Sequence, residues 1–277
     1  MKTKYSFIFN LFLFSALSLS FASAIPVLSK QDPLIDQIVR SMSQNNTGCQ
    51  PNYYFSVDEI QSKDGKYAYY EVLQRMLNPQ QAASKDWFSS QKDLNLMPVN
   101  ACIVRGNKDF SRKKNAEFLH SLAVSKIVNL DYVSDSLNRG KTSFQYTFLP
   151  INPNAYPKDD NIRSIKLALE QMQSATPESR LYISDLTGKY QVGLVVALYQ
   201  FLGDYSLDAV DTCDSIGKDR DKPYQQMNAI GNKGLLNYDF PDNFRKFYLD
   251  FAHSVCNHET DKLLAIPMGT KCKPKLK

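Results

Sequence analysis

The fold is decided by one stretch, which reads Arg180-Leu181-Tyr182-Ile183-Ser184-Asp185-Leu186-Thr187-Gly188-Lys189-Tyr190-Gln191-Val192-Gly193-Leu194-Val195-Val196-Ala197-Leu198-Tyr199. Leu181 to Ile183 predicts a short buried strand, a polar turn with two glycines follows, and the run from Val192 is apolar on all sides, as a central helix would be. Backbone N–H groups converge where a strand turns into a helix N-terminus, and the helix dipole adds positive potential. The stretch therefore predicts an anion-binding turn.

The letters of this turn resemble the loop of the cysteine-based protein tyrosine and dual-specificity phosphatases, written His-Cys-x-x-Gly-x-x-Arg-Ser/Thr-Gly. Gly188 and Gly193 fall on the two glycines of that pattern. In the family a cysteine thiolate attacks phosphorus, loop amides and the arginine hold the phosphoryl oxygens, and an aspartate from a neighbouring loop protonates the leaving group. The resemblance implies that the phosphate loop corresponds to Ser184, Asp185, Leu186, Thr187, Gly188, Lys189, Tyr190 and Gln191.

The catalytic letters of the pattern are replaced in this sequence. Ser184 stands at the histidine, Asp185 at the nucleophilic cysteine, Gln191 at the arginine and Val192 at the hydroxyl residue. The nucleophile must be a soft, low-pKa anion, and the cation must present a rigid two-pronged fork. We therefore expect no catalytic residue at the nucleophile-equivalent Asp185 or the arginine-equivalent Gln191.

Asp185 is expected to accept the loop N–H bonds itself, so that the site carries its own anion. An incoming phosphate would then meet like-charge repulsion of about 1 to 4 kcal/mol at about 4 Å. The alternative is a carboxylate nucleophile that forms an aspartyl phosphate, although such enzymes usually recruit a metal. Lys189 is the one cation in the turn, and a solvated lysine or a partner for Asp185 is favoured over an anion-binding role.

The general acid is missing as well. The corresponding loop reads Asn152-Pro153-Asn154-Ala155-Tyr156-Pro157, which places Asn152 and Asn154 in the general-acid-loop equivalent. An amide has no proton to give at working pH. Asp159 and Asp160 come too late in the sequence to match the family position, although one of them could swing in.

The resemblance covers roughly residues 100 to 255, where strands alternate with helices. Strands are predicted at Cys102 to Gly106, Lys126 to Leu130 and Phe144 to Ile151, and a helix carries Ile162, Ile165, Leu169 and Met172 on one face. This alternation predicts an α/β fold with a central, mostly parallel sheet flanked by helices on both faces. Ligands of such sheets lie at the carboxyl ends of the strands.

Four segments are predicted along the chain. Residues 1–24 are a signal peptide, residues 25–99 an extension packed on the main domain, residues 100–257 the phosphatase-like domain, and residues 258–277 a basic tail. Within the extension, Leu34 to Val39 predicts a short amphipathic helix, whereas Tyr53 to Phe55 and Tyr67 to Val72 are strand-like.

The signal peptide is predicted from Lys2 and Lys4, an apolar run from Phe7 to Phe21, and the cleavage pattern Ala22-Ser23-Ala24. An uncleaved anchor is the alternative. Cleavage lowers the net charge from +5 to +3, because the segment holds two lysines and no acid, and so mild a charge implies no nucleic-acid partner. With no further spanning run, we expect an exported protein, periplasmic or secreted, and the composition leans toward a bacterial source.

Export makes all five cysteines disulfide candidates, and five is odd. Cys256 and Cys272 are the favoured pair, with reduced buried cysteines as the alternative. A zinc site formed by His253, Cys256, His258 and Cys272 is not favoured, because the spacing matches no common zinc pattern. We expect no metal and no cofactor.

These observations predict an exported, catalytically inactive phosphatase-like domain that binds a protein partner or an anionic small ligand. The alternative from the enzyme class is an active exported phosphatase that acts on phosphoprotein, phosphoinositide or inositol phosphate by unusual loop chemistry. A third interpretation is a purely structural subunit of a secreted or envelope assembly, because fold alone does not choose function.

Overall fold

A computed structural model describes residues 30–44, 48–49, 51–60, 68–77, 86–132, 143–231 and 240–265. The predicted signal peptide and most of the basic tail, including Cys272, lie outside these ranges. Within them, no helix combines the length and the apolar character that crossing a membrane requires.

Five strands of the described chain form one sheet: β1 (Met97–Pro98), β2 (Ile103–Asn107), β3 (Val124–Asn129), β4 (Gln145–Phe148) and β5 (Arg180–Asp185). Their order is β1-β2-β5-β3-β4; β1 runs antiparallel to β2, and the other neighbours are parallel. The predicted α/β fold with a mostly parallel sheet is confirmed. Because β5 lies between β2 and β3, the residues that follow these three strands meet at one edge of the sheet.

In chain order the helices are α1 (Pro33–Ser43), α2 (Val57–Ile60), α3 (Ala68–Met76), α4 (Asp86–Leu94), α5 (Lys113–Ser121), α6 (Asp160–Gln173), α7 (Gln191–Leu207), α8 (Ala209–Ser215), α9 (Lys222–Gly231), α10 (Asp242–Cys256) and α11 (Thr260–Leu263). A 3-10 turn spans Asp109–Ser111. Helices α1, α6, α7 and α10 pack with Leu181 and Ile183 on one face of the sheet. Helices α2 to α5 pack with Val104 and Tyr182 on the opposite face.

Helix α7 is the central helix that the apolar run predicts. Every residue from Gln191 to Gly203 is buried, because the sheet lies on one side of the helix and other helices surround the rest. The N-terminus of α7 follows directly on the loop after β5. The loop is therefore fixed between two of the most buried elements of the described chain.

The part of the chain before β2 departs from two expectations: Tyr53 to Phe55, predicted as strand-like, lie outside any strand, and a second predicted strand is a helix. Helix α1 is present as predicted, begins at Pro33, and is capped by Asp32, whose side chain accepts the Leu34 N–H at 3.0 Å. The strand predicted over residues 67–72 is wrong, because the described residues of that span begin helix α3. Aromatic residues favour strands, but the buried residues Tyr69 and Leu73 stand four apart and make one helix face against the sheet.

The described residues form two disulfides, Cys49–Cys102 and Cys213–Cys256. The predicted pair Cys256 and Cys272 is therefore wrong. Helix α8 packs beside the end of α10, where the Cα atoms of Cys213 and Cys256 lie 5.9 Å apart, within the span of a disulfide. That neighbourhood is made by the tertiary fold and leaves no trace in the spacing of cysteines along the chain.

Candidate anion-binding loop

Asp185 is the last residue of β5 and lies at the centre of the loop with 0% of its surface exposed. Its Oδ1 accepts the backbone N–H of Thr187 at 2.8 Å, that of Lys189 at 3.2 Å, and that of Gly188. The Thr187 hydroxyl donates to the same oxygen at 3.3 Å. Its Oδ2 accepts the N–H of Val192 in the first turn of α7 at 3.0 Å. The predicted N–H bonds to Asp185 are confirmed.

These bonds are divided unevenly between the two oxygens of the carboxylate. Oδ1 accepts three N–H groups and the Thr187 hydroxyl, whereas Oδ2 accepts the Val192 N–H. The negative charge of Asp185 also lies at the N-terminus of α7, where the helix dipole favours an anion. The carboxylate thus fills the place that the loop geometry offers to an anion, and both of its oxygens are held by donors of the loop.

Gly188 fixes the shape of the loop. Its φ of +75° lies in the left-handed region, which costs other residues free energy. A Cβ atom at Gly188 would also lie 2.7 Å from the carbonyl carbon of Gly106 and 2.9 Å from its oxygen. The loop therefore rests directly on the backbone of β2, and only glycine permits that approach.

Arg105 underlies the loop, although the sequence analysis does not place it in the site. It stands on β2 opposite Ile183 of β5, and 2% of its surface is exposed. One terminal nitrogen of its guanidinium (Nη2) donates to the carbonyl of Gly188 at 2.7 Å and to that of Lys189 at 3.4 Å. Burial lowers the pKa of Arg105 to about 10, and the charge of Asp185 opposes that shift. The sequence signal that could have identified Arg105 is the presence of an arginine in an otherwise apolar predicted strand.

Gln191 stands where the family has its arginine, but its side chain points to another partner. It is buried, and its Nε2 donates to the carbonyl of Ile151 at 3.3 Å. Ile151 directly precedes the general-acid-loop equivalent. Gln191 therefore ties the two loops together and supplies a neutral amide where the pattern has a charged fork.

The general-acid-loop equivalent forms its own network of neutral groups. The Asn152 N–H donates to Asn161 Oδ1 at 3.0 Å, and Asn152 Oδ1 accepts the Asn154 N–H at 2.9 Å. Asp160, which the sequence leaves free to swing in, forms an ion pair with Arg163 of its own helix at 3.7 Å. Asn152 and Asn154 thus lie in a network of amide groups, and neither side chain carries a transferable proton.

The remaining loop residues divide between the interior and the rim. Ser184 is buried, and its hydroxyl donates to the carbonyl of Val128 at 3.4 Å. Leu186 is 50% exposed, so its apolar side chain lies at the rim of the loop. Lys189 is half-buried, and burial lowers its pKa while the Asp185 charge opposes the shift. The structure thus gathers Ser184 to Gln191 around one carboxylate.

The described residues contain no group of three or more His, Cys, Asp or Glu side chains placed to hold a metal ion. The disfavoured zinc site included Cys256. The structure bonds Cys256 to Cys213, and a disulfide sulfur is not the thiolate that zinc needs.

No family model and no curated protein sequence matches the chain. Among solved structures, it is similar to P. aeruginosa TpbA, with 15% identity, a TM-score of 0.41, and coverage of 61% of this chain and 92% of that one. It is also similar to the human tyrosine phosphatase-like serine/threonine/tyrosine-interacting protein (13% identity, TM-score 0.36, coverage 55% and 91%). A third is OH1 from the Orf virus, a tyrosine phosphatase (10% identity, TM-score 0.36, coverage 68% and 96%). All three similarities have TM-scores below 0.5.

Proposed function

We propose that this chain is an exported phosphatase-like protein that works by binding rather than by catalysis. One observation carries the proposal. The buried carboxylate of Asp185 accepts four backbone N–H groups in the loop where the family binds phosphate. A phosphate dianion would have to displace this anion or bind beside it at the cost of like-charge repulsion.

The chemistry of the family fails at three separate points of this site. Asp185 is a carboxylate held by loop donors and offers no thiolate, Gln191 is a neutral amide bonded to Ile151, and the general-acid-loop equivalent presents Asn152. Loss of one preorganised donor to a transition state typically costs about a hundred- to a thousandfold in rate. Three losses at three positions favour a protein without turnover.

Export is supported by the signal-peptide pattern of residues 1–24 and by the disulfides Cys49–Cys102 and Cys213–Cys256. Disulfides persist in oxidising compartments such as the periplasm or the extracellular space. Production of the full chain in an exporting host is expected to yield a protein that begins at Ile25, which N-terminal sequencing of the exported material checks. An intact Met1 terminus would contradict export with cleavage.

A protein partner fits the mouth of the loop better than a phosphorylated small molecule does. The half-exposed Leu186 stands on the loop itself, next to the self-occupied anion position. An exposed apolar side chain gains by burial against another protein, whereas a phosphate gains nothing from it. We therefore place the partner contact at the loop mouth, with Leu186 as its apolar anchor.

The proposal is tested by phosphate release from p-nitrophenyl phosphate, phosphopeptides and inositol phosphates. The native protein is expected to show no release above contaminant level. The double change Asp185→Cys with Gln191→Arg is expected to act slowly on p-nitrophenyl phosphate, because nitrophenolate leaves without a general acid. Asp185→Ser with Gln191→Arg has the same loop without the thiol and is the matched control, with no release expected.

The opposite outcome favours the enzyme alternative. Turnover by the native protein that survives careful purification and disappears in Asp185→Asn would make the carboxylate a nucleophile. In that case the proposal of a non-catalytic protein is wrong.

A further inference from the structure

Arg105 is a buried cation whose role the phosphatase pattern does not supply. It is among the largest fully buried side chains of the described chain. Its side chain lies on the sheet face that carries α7, because Arg105 shares the alternation of Ile103 on β2. Isolated buried charges cost several kcal/mol, so a buried guanidinium calls for a compensating anion.

The peptide unit that joins Gly188 to Lys189 lies between two opposite charges. Its N–H, on Lys189, donates to Asp185 Oδ1 at 3.2 Å, and its carbonyl, on Gly188, accepts from the Arg105 guanidinium at 2.7 Å. In the adjoining peptide units, the Gly188 N–H donates to Asp185 and the Lys189 carbonyl accepts from Arg105 at 3.4 Å. A hydrogen-bond chain with an anion at one end and a cation at the other is strengthened by mutual polarisation. The loop is thus held from its inner side by Asp185 and from beneath by Arg105.

The guanidinium of Arg105 is closely surrounded by α7 and Phe240. A Cβ atom at Gly193 would lie 3.7 Å from Nη2 of Arg105 and 3.0 Å from the ring of Phe240. Glycine at this position of α7 therefore leaves room for the guanidinium at the helix N-terminus. Gly193, which matches the last glycine of the family pattern, is therefore required in this chain by its close contacts with Arg105 and Phe240.

We propose that Arg105 is the positioning residue of the loop: it holds the Gly188 and Lys189 carbonyls, which turns the Lys189 N–H toward the central anion, and it supplies that anion's counter-charge. In the family pattern the cation belongs to the loop and is replaced here by Gln191. In this chain the cation comes from β2 and acts through the carbonyls. The loop is consequently assembled without a ligand, since both charges belong to the chain.

This inference rests on the same self-occupied loop as the proposed function, but its test reads equilibrium binding instead of turnover. If Arg105 positions the loop, removal of the Asp185 side chain leaves converging N–H groups above an uncompensated cation. Such a site binds tetrahedral oxyanions. The probe is sodium tungstate, read by calorimetric titration and by the thermal unfolding midpoint of the full chain after export.

The native protein is expected to show no change in midpoint with tungstate, whereas Asp185→Ala is expected to bind it, with a midpoint that rises with concentration. Addition of Arg105→Met to Asp185→Ala is expected to weaken tungstate binding about a hundredfold. Arg105→Lys in the same background keeps the charge without the fork and is expected to restore part of that binding. Partial rescue by lysine distinguishes a positioning charge from a side chain that only fills space.

Arg180 supplies the matched control. It stands at the opposite end of β5 and donates to the carbonyls of Ala101 at 2.8 Å and Leu122 at 2.7 Å. Arg180→Met in the Asp185→Ala background removes comparable arginine-to-carbonyl bonds far from the loop and is expected to leave tungstate affinity unchanged. Asp185→Ser replaces Asp185→Ala throughout if the alanine variant does not fold.

Two results would overturn the inference. In the first, Asp185→Ala binds tungstate with the same affinity whether residue 105 is Arg, Met or Lys. In the second, Asp185→Ala or Asp185→Ser folds but binds no tungstate. Tungstate binding by the native protein would instead contradict the self-occupied loop on which the proposed function rests. The role of Arg105 is then read from Arg105→Lys in the native background, where undiminished binding overturns it.

Discussion

Helix α7 has a carboxylate near each end, and different groups hold the two. At its N-terminus, Asp185 is fully buried and accepts bonds from backbone N–H groups. In its last turn, Asp204 is half-buried and accepts bonds from the Tyr54 hydroxyl, at 2.9 Å to each oxygen. The helix dipole favours the anion at the first end and disfavours it at the second.

The second end collects a further acid. Asp221 is buried and accepts the Tyr248 hydroxyl at 2.6 Å and the Gly217 N–H at 2.8 Å. Burial raises the pKa of both Asp204 and Asp221, and their hydrogen bonds oppose the shift. Lys222 lowers the pKa of Asp204 in turn. Burial alone therefore does not decide whether a carboxylate suits its site, because the hydrogen-bond donors and the helix end that face the carboxylate matter as well.

The largest effect is expected at the N-terminal end. Asp185→Ala leaves four buried or part-buried N–H groups without their acceptor and Arg105 without its counter-charge, so the free energy of unfolding is expected to fall by about 4 kcal/mol. Urea denaturation followed by circular dichroism measures it. The exposed Asp219→Asn is the control, within about 0.5 kcal/mol of native. A loss at Asp185 no larger than that of the control would show that the loop does not depend on this carboxylate for stability.

Gly188→Ala is expected to cost about 3 kcal/mol, because it adds a contact with the backbone of β2 to the strain of a left-handed residue. Gly217→Ala is the matched change, since Gly217 has a similar φ of +69° but its added Cβ would meet only the Leu249 side chain, at 3.2 Å. About 1 kcal/mol is expected there. Denaturation of the two variants side by side separates strain from the backbone contact, and equal losses would show that the approach of the loop to β2 is unimportant.

At the C-terminal end, Tyr54→Phe removes the hydroxyl that donates to Asp204. A loss of about 1 kcal/mol is expected at pH 7, and a smaller one in mild acid, where a protonated Asp204 no longer needs the donor as strongly. Stability curves at both pH values measure the difference. Tyr132→Phe changes a half-exposed tyrosine and is the control. A loss that is the same at both pH values would show that the contribution of the Tyr54 hydroxyl does not depend on the charge of Asp204.

The smallest effect is expected for Asp204→Asn, which should stabilise the protein by less than about 1 kcal/mol at pH 7. Burial raises the folded pKa of Asp204 above its unfolded value, so the folded state holds more protons. The native carboxyl therefore favours folding at low pH and loses that contribution as the pH rises through the folded pKa. The advantage of Asp204→Asn should shrink between pH 7 and pH 5 in urea titrations. An advantage that grows in acid would contradict the raised pKa.

Local patterns predict much of this molecule. Alternating apolar runs give the parallel sheet, and the turn between Ile183 and Val192 gives the loop, because glycines and a strand-to-helix turn are local features. The bonds of Asp185 were also predictable, since a carboxylate among converging N–H groups has few other choices. These features depend on residues close together in the chain.

The missed features depend on distant residues. Arg105 lies on β2 and reaches the loop that follows the neighbouring strand β5. Cys213 meets Cys256 only because α8 packs against α10. The arginine did leave a signal: a charged residue in an apolar strand must find a buried partner. The arrangement at the C-terminal end of α7 likewise depends on Tyr54, which lies 150 residues from Asp204 in the sequence.

The occupancy of the loop is tested most directly by a crystal structure of the native protein grown with an excess of tungstate. We predict electron density for the Asp185 carboxylate inside the loop, bonded to the N–H groups of Thr187, Gly188, Lys189 and Val192, and no tungstate there. Density for tungstate at the centre of the loop, with the Asp185 side chain turned out toward solvent, would contradict the self-occupied loop and return the site to the phosphate-binding class.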